Sequence, residues 1–288
     1  MRLSSDYSQC KEGAWSLWIL REKWQAELWQ VVLALIEKQP SSKHPQTLQV
    51  KAPFGAGDDT LFLKIFHGSS GIGISILKDI FRDSKALRSM RQAAALARFN
   101  FNVPITVAAG EQREHGLLRK AFVLTLEVKG QSLPVFLRRH GLGVESISFC
   151  EKRNGLKQLA LEVRRLHQLG FVHGDLVPTN IFVSRSAGKG SQLFFMDNDR
   201  TQRYPKWIPH VLWRRNLVQL NRIPLPGITL QDRVRFLSHY LGLKEWGKKE
   251  RRLLSWLERK TRQRRKECDS VDVNGSFRQL MRWHGELT

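Results

Sequence analysis

The chain has 288 residues, and 48 Lys and Arg against 26 Asp and Glu give it a formal net charge of +22. A hydrophobic share of 41% is that of an ordinary globular protein and excludes a wholly disordered chain. The uncharged apolar runs, of which residues 31–36 form the best candidate, are too short for a membrane span, and the start of the chain does not resemble a secretory signal. Three widely separated cysteines favour neither a disulfide framework nor a zinc site, so the cytosol is the default compartment.

The positive charge predicts a polyanionic partner, for which nucleic acid, anionic lipid headgroups and phosphorylated glycolipids all qualify. Basic residues are densest on a predicted helix at 251–266, whose basic face is either solvated or a docking surface. Four early tryptophans belong either to the core or to a membrane contact; they are Trp15, Trp18, Trp24 and Trp29.

The first half of the sequence is rich in predicted strands. The alternation of apolar residues and the turn residues between them predict a strand, a helix, a hairpin, an Ala-rich helix and two more strands. These elements lie at 13–20, 22–38, 47–52 with 60–66, 84–98, 103–109 and 121–128. A turn at 55–59 and a glycine-bearing loop at 68–73 flank the second arm of the hairpin.

The second half is rich in predicted helices, beginning at 132–139 and 151–169, with Gly170 as a helix stop. Short strands at 181–183 and 193–196 follow, and helices fill the remainder apart from a loop around Pro224 and Pro226. The order of strands before helices predicts an α+β fold of two lobes with a cleft between them, an N-lobe at 1–128 and a C-lobe at 129–288.

The densest motif runs His173-Gly174-Asp175, then Asn180, then Asp197 after an apolar strand. Pairing of the two short strands would bring these side chains together. Hard oxygen ligands suit magnesium, so Asn180 and Asp197 are candidate ligands. Asp175 would orient or deprotonate a hydroxyl, and the ring of His173 could brace the loop. The competing interpretation is a turn of Asp and Asn that caps local backbone groups.

This joint pattern resembles the catalytic and magnesium loops of the protein-kinase-like fold. Gly174 stands where protein kinases usually carry arginine, and in this the chain resembles the branch of the fold that acts on small molecules. Among these families, the lipopolysaccharide kinase (Kdo/WaaP) family is the most similar, over roughly residues 45 to 266. The similar segments are 61–64, 84–86, 103–104 with 108–110, 166–175 and the basic stretch 232–265.

The resemblance implies ATP and Mg²⁺ as cofactors and a role for each motif residue. Lys64 would contact the ATP phosphates, Asp175 would be the catalytic base, and Asn180 and Asp197 would bind magnesium. The backbone of Glu127 and Val128 would bind adenine. A lysine in an apolar strand needs phosphate or a carboxylate nearby, unless its ammonium group merely reaches solvent.

The chain departs from the family pattern in three places, and the first of these leaves a pseudokinase open. The helix at 84–98 has no glutamate to pair with Lys64; Ser89 or Gln92 occupies that place, Asp79 or Asp83 could substitute, or the nucleotide could be its only partner. No G-x-G-x-x-G precedes Lys64, and the nearby glycines are first interpreted as turn residues. Asn198-Asp199 follows Asp197, so Asp199 would bind a second metal or anchor Arg200.

The leading hypothesis is ATP-dependent phosphorylation of a sugar hydroxyl, on Kdo or heptose, in the lipopolysaccharide inner core. The partner would be the lipopolysaccharide core or Kdo–lipid A, with the protein on the cytoplasmic face of the inner membrane and its basic surface against anionic lipid. The alternatives are an atypical kinase for a protein or RNA-associated partner, and a pseudokinase that binds anionic glycolipid or, less favoured, nucleic acid.

Overall fold

The computed structural model describes residues 6–42, 44–51, 60–68, 82–138, 149–186, 190–205, 207, 211–222 and 228–270. The chain divides into two compact units, 1–129 with 194–200, and 130–193 with 201–288. The first is built on an antiparallel sheet and the second is mostly helical, which confirms the α+β class. The predicted turn at 55–59, most of the glycine-bearing loop, Asp79 and the loop around Pro224 lie outside the described residues.

Six antiparallel strands form the sheet of the first unit in the order β1-β2-β5-β6-β4-β3. Their bounds are β1 Tyr7–Glu12, β2 Trp15–Leu20, β3 Gln46–Lys51, β4 Thr60–His67, β5 Thr106–Glu114 and β6 Leu117–Leu126. The sequence did not indicate β1, because this polar edge strand buries little apolar surface. It also ended β5 too early and began β6 too late, since the polar ends of this hairpin extend beyond the core.

Helix α1, Ala26–Lys38, covers one face of this sheet. Its buried residues, which include Leu28 and Ile36, pack against Leu61 and Leu63 of β4. The rings of Trp15 and Trp29 are 6% exposed and meet edge to face at 5.9 Å, so these two tryptophans belong to the core. α1 begins at Ala26 rather than at 22, because residues 21–23 form a separate 3-10 turn.

Helix α2, Lys85–Arg98, packs on the opposite face. The hydroxyl of Ser84 caps its first turn by accepting a hydrogen bond from the Leu87 amide at 3.2 Å. Phe66 of β4 is buried with Leu87 and Met90 of α2. Since side chains alternate along a strand, Lys64 points to the same face of the sheet as Phe66, the face that carries α2.

The second unit is mainly helical. Its helices are α3 Leu133–Arg138, α4 Phe149–Gln168, α5 Val211–Leu220, α6 Leu230–Leu241 and α7 Lys248–Ser270. β9, Ile181–Ser186, lies between β7, Gln131–Ser132, and β10, Gly190–Phe195, and this arrangement confirms that the two strands around the polar loop are neighbours. β8, Phe171–Val172, pairs with β11, Gln202–Arg203. Gly170 ends α4 with a φ of 83°, and a Cβ there would lie 2.3 Å from the Tyr204 carbonyl oxygen.

A buried ion pair joins α4 to α6. Lys152 Nζ lies 3.0 Å from Asp232 Oδ2, and the two residues are 4% and 2% exposed. Asp232 also closes a capping box with Thr229 at the start of α6. Burial raises the pKa of Asp232, but the hydrogen bonds from Thr229 and Lys152 outweigh it and hold the pKa below its usual value.

The basic residues near the end of the described chain lie on α7, whose side facing the unit contains the buried Leu257 and Thr261. Arg251, Arg252 and Arg259 are exposed, whereas Arg265 donates to the carbonyl groups of residues 221 and 222. Part of the basic helix is therefore structural. No helix in the described ranges combines the length and the hydropathy that crossing a bilayer requires.

Candidate active site

In the first unit, Lys64 forms an ion pair with Asp197. Lys64 Nζ lies 2.6 Å from Asp197 Oδ1, and the side chains are 27% and 36% exposed. Asp83, one of the substitutes left open for pairing with Lys64, instead pairs with Arg91 on α2. The carboxylate partner of Lys64 is therefore Asp197, which lies 133 positions later in the chain.

Buried groups hold the backbone around Asp197 in place. Asp197 has a φ of 53°, a left-handed conformation that Asp adopts more readily than most residues. The side chain of Asn198, 3% exposed, donates to the Phe195 carbonyl at 2.9 Å and closes the turn. The Phe195 amide donates to Asn102 at 2.9 Å, so the loop is anchored to the segment that follows α2.

Asp199 lies among charged groups of the same unit. Burial raises the pKa of the Asp199 carboxyl, and the neighbouring charge of Asp197 raises it further, against Lys64, Arg200 and Arg88, which lower it. Arg88 belongs to α2, the helix that packs against the turn 198–200 in this unit. This helix thus presents a cation to the acidic loop where kinases usually present a glutamate.

Replacing Asp199 with asparagine is expected to raise the melting temperature at pH 7 in the absence of nucleotide and metal. Because the pKa of Asp199 is higher in the folded than in the unfolded chain, ionised Asp199 lowers the free energy of unfolding at neutral pH. This destabilisation disappears as the pH falls through the raised pKa toward 3.8, the ordinary value. Thermal unfolding at several pH values checks this. An unchanged or lower melting temperature of the variant at pH 7 would contradict it.

In the second unit, Asp175, Asn180 and His173 lie in one hydrogen-bonded loop. Nδ1 of His173, a fully buried residue, accepts a hydrogen bond from the Asp175 amide at 3.2 Å. Asn180 Nδ2 donates to the Asp175 carbonyl oxygen at 3.0 Å and approaches Oδ2 at 3.4 Å. The 3-10 turn Pro178–Asn180 sets this approach. Because the NH₂ group of Asn180 faces Asp175, its carbonyl oxygen Oδ1 is the atom suited to a cation.

Two carboxamides on α5, which the motifs did not predict, form hydrogen bonds with the backbone of this loop. Asn216 is fully buried; its Oδ1 accepts from the His173 amide at 3.0 Å and its Nδ2 donates to the His173 carbonyl oxygen. Gln219 donates to the Gly174 carbonyl at 3.0 Å and accepts from Asn216 at 2.9 Å. Asn216 and Gln219 are three positions apart, on either side of the apolar residues Leu217 and Val218, so both amides lie on one buried face of the helix. This spacing could have predicted a buried hydrogen-bonding role for them.

His167 extends this network to α6. Its Nε2 lies 3.1 Å from Asn216 Oδ1 and its Nδ1 lies 2.8 Å from the Tyr240 hydroxyl. Because Oδ1 can only accept, Nε2 carries the proton and Nδ1 accepts from Tyr240. Burial lowers the pKa of His167 to about 4, against a smaller opposing effect of Asn216.

Stability is therefore expected to fall with acidification over the range in which His167 titrates. The stabilising contribution is present above pH 6.5, the ordinary pKa, and is lost as the pH falls to about 4. Since burial depresses the folded-state pKa, protonation favours the unfolded chain by up to about 3 kcal/mol. Urea unfolding between these pH values, compared with His167→Gln, measures it. An equally steep pH dependence in the variant would assign the effect to other groups.

The oxygen donors on each of these loops, taken separately, are of the kind that a divalent cation prefers. Among the described residues no three His, Cys, Asp or Glu side chains gather into a complete metal site. Magnesium is commonly held by one or two carboxylates together with phosphate oxygens, so Asp197 and Asp199 in the first unit, or Asn180 in the second, would each need phosphate oxygens to complete its coordination. At the predicted adenine site, the Glu127 amide already donates to Thr60 at 2.9 Å, so the Glu127 carbonyl and the Val128 backbone are the groups left for that prediction.

Comparison with known proteins gives a family and a fold. The model of the lipopolysaccharide kinase (Kdo/WaaP) family matches residues 62–240, more than half of the chain. A solved structure of WaaP in complex with acyl carrier protein is similar with a TM-score of 0.59 and 20% identity, over 83% of this chain and 95% of that one. The Rio2 kinase-ADP/Mg²⁺-phosphoaspartate complex from Chaetomium thermophilum has a TM-score of 0.40 and 13% identity, over 90% and 82% of the chains. A search of curated proteins found no match.

Proposed function

The chain belongs to the lipopolysaccharide kinase (Kdo/WaaP) family, and we propose that the hydroxyl it phosphorylates lies on a sugar of the lipopolysaccharide inner core, Kdo or heptose, with ATP as the donor. The observation that carries this proposal is the content of the matched segment. Residues 62–240 include Lys64, Asp175, Asn180 and Asp197, and the geometry around each suits phosphoryl transfer.

Each residue has a task that its surroundings support. Lys64 supplies a positive charge to the nucleotide phosphates, in a place where Asp197 keeps the ammonium group oriented. Asp175 orients the acceptor hydroxyl and receives its proton, while His173 and Asn180 hold the loop that carries this carboxylate. Magnesium, with Asn180 and Asp197 as ligands, would neutralise charge on the phosphates.

The charge of the chain suits an acceptor embedded in an anionic surface. With a net charge of +22, the protein would be attracted to phosphorylated glycolipid at the cytoplasmic face of the inner membrane. Exposed arginines on α7, such as Arg252 and Arg259, are suited to this peripheral contact. Because salt screens such attraction, activity on vesicles should fall with ionic strength more steeply than nucleotide binding does.

Two acceptors compared in parallel test the substrate. Purified Kdo–lipid A and its heptose-extended form are incubated with the protein, labelled ATP and magnesium, and the product is mapped. Label on Kdo in the first acceptor assigns a Kdo kinase, whereas label only on the extended form assigns a heptose kinase. ATP binding without label on either acceptor would reject the inner core as substrate and favour a protein or RNA-associated acceptor.

A further inference from the structure

A basic pocket of about 340 Å³ lies between α4 and α6 of the second unit, apart from the residues assigned to phosphoryl transfer. Arg153 and Lys157 of α4 and Arg235 and His239 of α6 line it, together with Asn154 and Cys150. Each basic pair is four positions apart, so both members lie on the same side of their helix. The two packed helices thus present two basic pairs to one cavity.

The positive charges of this pocket exceed the negative ones. Asp232 is the one acidic side chain among the described residues that line it, and Lys152 already neutralises this buried carboxylate at 3.0 Å. Arg235 Nη1 lies 3.6 Å from the other oxygen of Asp232, and its side chain is 41% exposed. Like charges one turn apart on a helix repel each other, so an anion in the pocket would relieve the repulsion between Arg153 and Lys157.

Contacts within the protein already fix the two helices and one arginine of the pocket, so the pocket is preorganised for a ligand. The pair of Lys152 and Asp232 ties α4 to α6 beneath it, and Thr229 caps α6 on the same carboxylate. The guanidinium of Arg153 lies 5.4 Å from the centre of the Phe149 ring, a contact that orders a planar group suited to two-point binding of phosphate. Preorganised charges lose less entropy when a ligand binds.

We propose that this pocket binds a phosphorylated sugar, either as a soluble sugar phosphate or as the headgroup of a glycolipid. Arginine pairs geometrically with phosphate oxygens, and the amide of Asn154 can exchange hydrogen bonds with hydroxyls. The volume is near the lower end of that of small-molecule sites, about 300 to 1,000 Å³, which suits one sugar with its phosphate. Binding here requires no phosphoryl transfer, so it stands or falls independently of the proposed activity.

Calorimetric titration with glucose 1-phosphate, without ATP or magnesium, tests the proposal. The double variant Arg153→Gln/Arg235→Gln is compared with Lys11→Gln/Lys51→Gln, which removes the same charge from two exposed positions of the first unit, outside the pocket. We expect the pocket variant to bind at least about tenfold more weakly and the control to change by less than about twofold, because only the first removes charge-assisted hydrogen bonds. Lys157→Gln, at an exposed position, is a milder variant that should weaken binding about threefold by the same reasoning.

A vesicle experiment separates the two sources of the ligand. Flotation with phosphatidylcholine vesicles containing lipid A is compared with vesicles of equal charge containing phosphatidylglycerol. If the unmodified protein floats with lipid A vesicles but does not bind glucose 1-phosphate, and the pocket variant no longer floats, the ligand is a glycolipid headgroup. If the unmodified protein binds glucose 1-phosphate and the pocket variant does not, the ligand is a soluble sugar phosphate. Absence of both, or equal binding by the pocket and control variants, would overturn the proposal.

Discussion

Replacing Asp197 with asparagine is expected to lower phosphoryl transfer by about two to three orders of magnitude, the usual cost of removing one preorganised charge from a transition state. The substitution keeps the volume of the side chain but removes both the charge that pairs with Lys64 and a proposed magnesium ligand. Single-turnover transfer measured over a range of magnesium concentrations should show a lower rate and a higher requirement for magnesium.

The control for this prediction is Asp83→Asn. Asp83 pairs with Arg91 in the same unit, and both of these side chains are 34% exposed, close to the values of Lys64 and Asp197. Loss of this pair should leave the magnesium requirement unchanged. The role assigned to Asp197 is wrong if its variant and the Asp83 variant respond alike to magnesium. The double variant Lys64→Met/Asp197→Asn should lose less than the sum of the single effects, because the two side chains are in contact.

Replacing Asn216 with alanine is expected to destabilise the second unit by roughly 2 to 5 kcal/mol, since a buried group left without a partner costs about 1 to 3 kcal/mol. The amide and carbonyl of His173 would lose their partner, as would Nε2 of His167. His173 also accepts a hydrogen bond from the Asp175 amide, so its displacement should move the proposed catalytic carboxylate. The turnover number should therefore fall as well, with little change in nucleotide affinity. Urea unfolding and steady-state kinetics measure the two effects.

A matched variant on the same segment distinguishes this role from a general loss of packing. The side chain of Asn221, one position beyond α5, donates to Thr261 of α7 at 3.3 Å. Asn221→Ala should cost about 1 kcal/mol, the typical value of one hydrogen bond. Equal losses of stability and of turnover number in the two variants would refute the role given to Asn216. Gln219→Leu should show an intermediate effect, since it leaves the Gly174 carbonyl unpaired.

The motifs could be predicted from sequence because their local chemistry is unusual. A lysine inside the apolar run of β4, and Asp and Asn side chains spaced around short strands, have few purely structural explanations. Helix α2, which covers the sheet, could also be predicted, because it has a serine cap and a regular apolar face. The core position of Trp15 and Trp29 was left open, since both a core and a membrane contact favour tryptophan.

The partners of these motifs could not be predicted, because they depend on contacts between residues far apart in the chain. Asp79 and Asp83 were the carboxylates considered as partners of Lys64, yet the carboxylate beside it lies 133 residues away on a turn in a left-handed conformation. Asn216 reaches the loop of His173 over 43 residues. Neither pairing has a periodic signature in the sequence, and both follow only from packing.

One measurement tests the central claim most directly: transfer of the γ-phosphate of ATP to inner-core glycolipid by the unmodified chain and by Asp175→Asn, with ATP binding measured on both. The account predicts label on the glycolipid with the first protein and a loss of about 10²- to 10⁴-fold with the second, the range for a general base, at similar ATP affinity. Equal transfer by both proteins would contradict the role of Asp175. Absence of both transfer and ATP binding in the unmodified chain would contradict the assignment as a kinase and favour a pseudokinase.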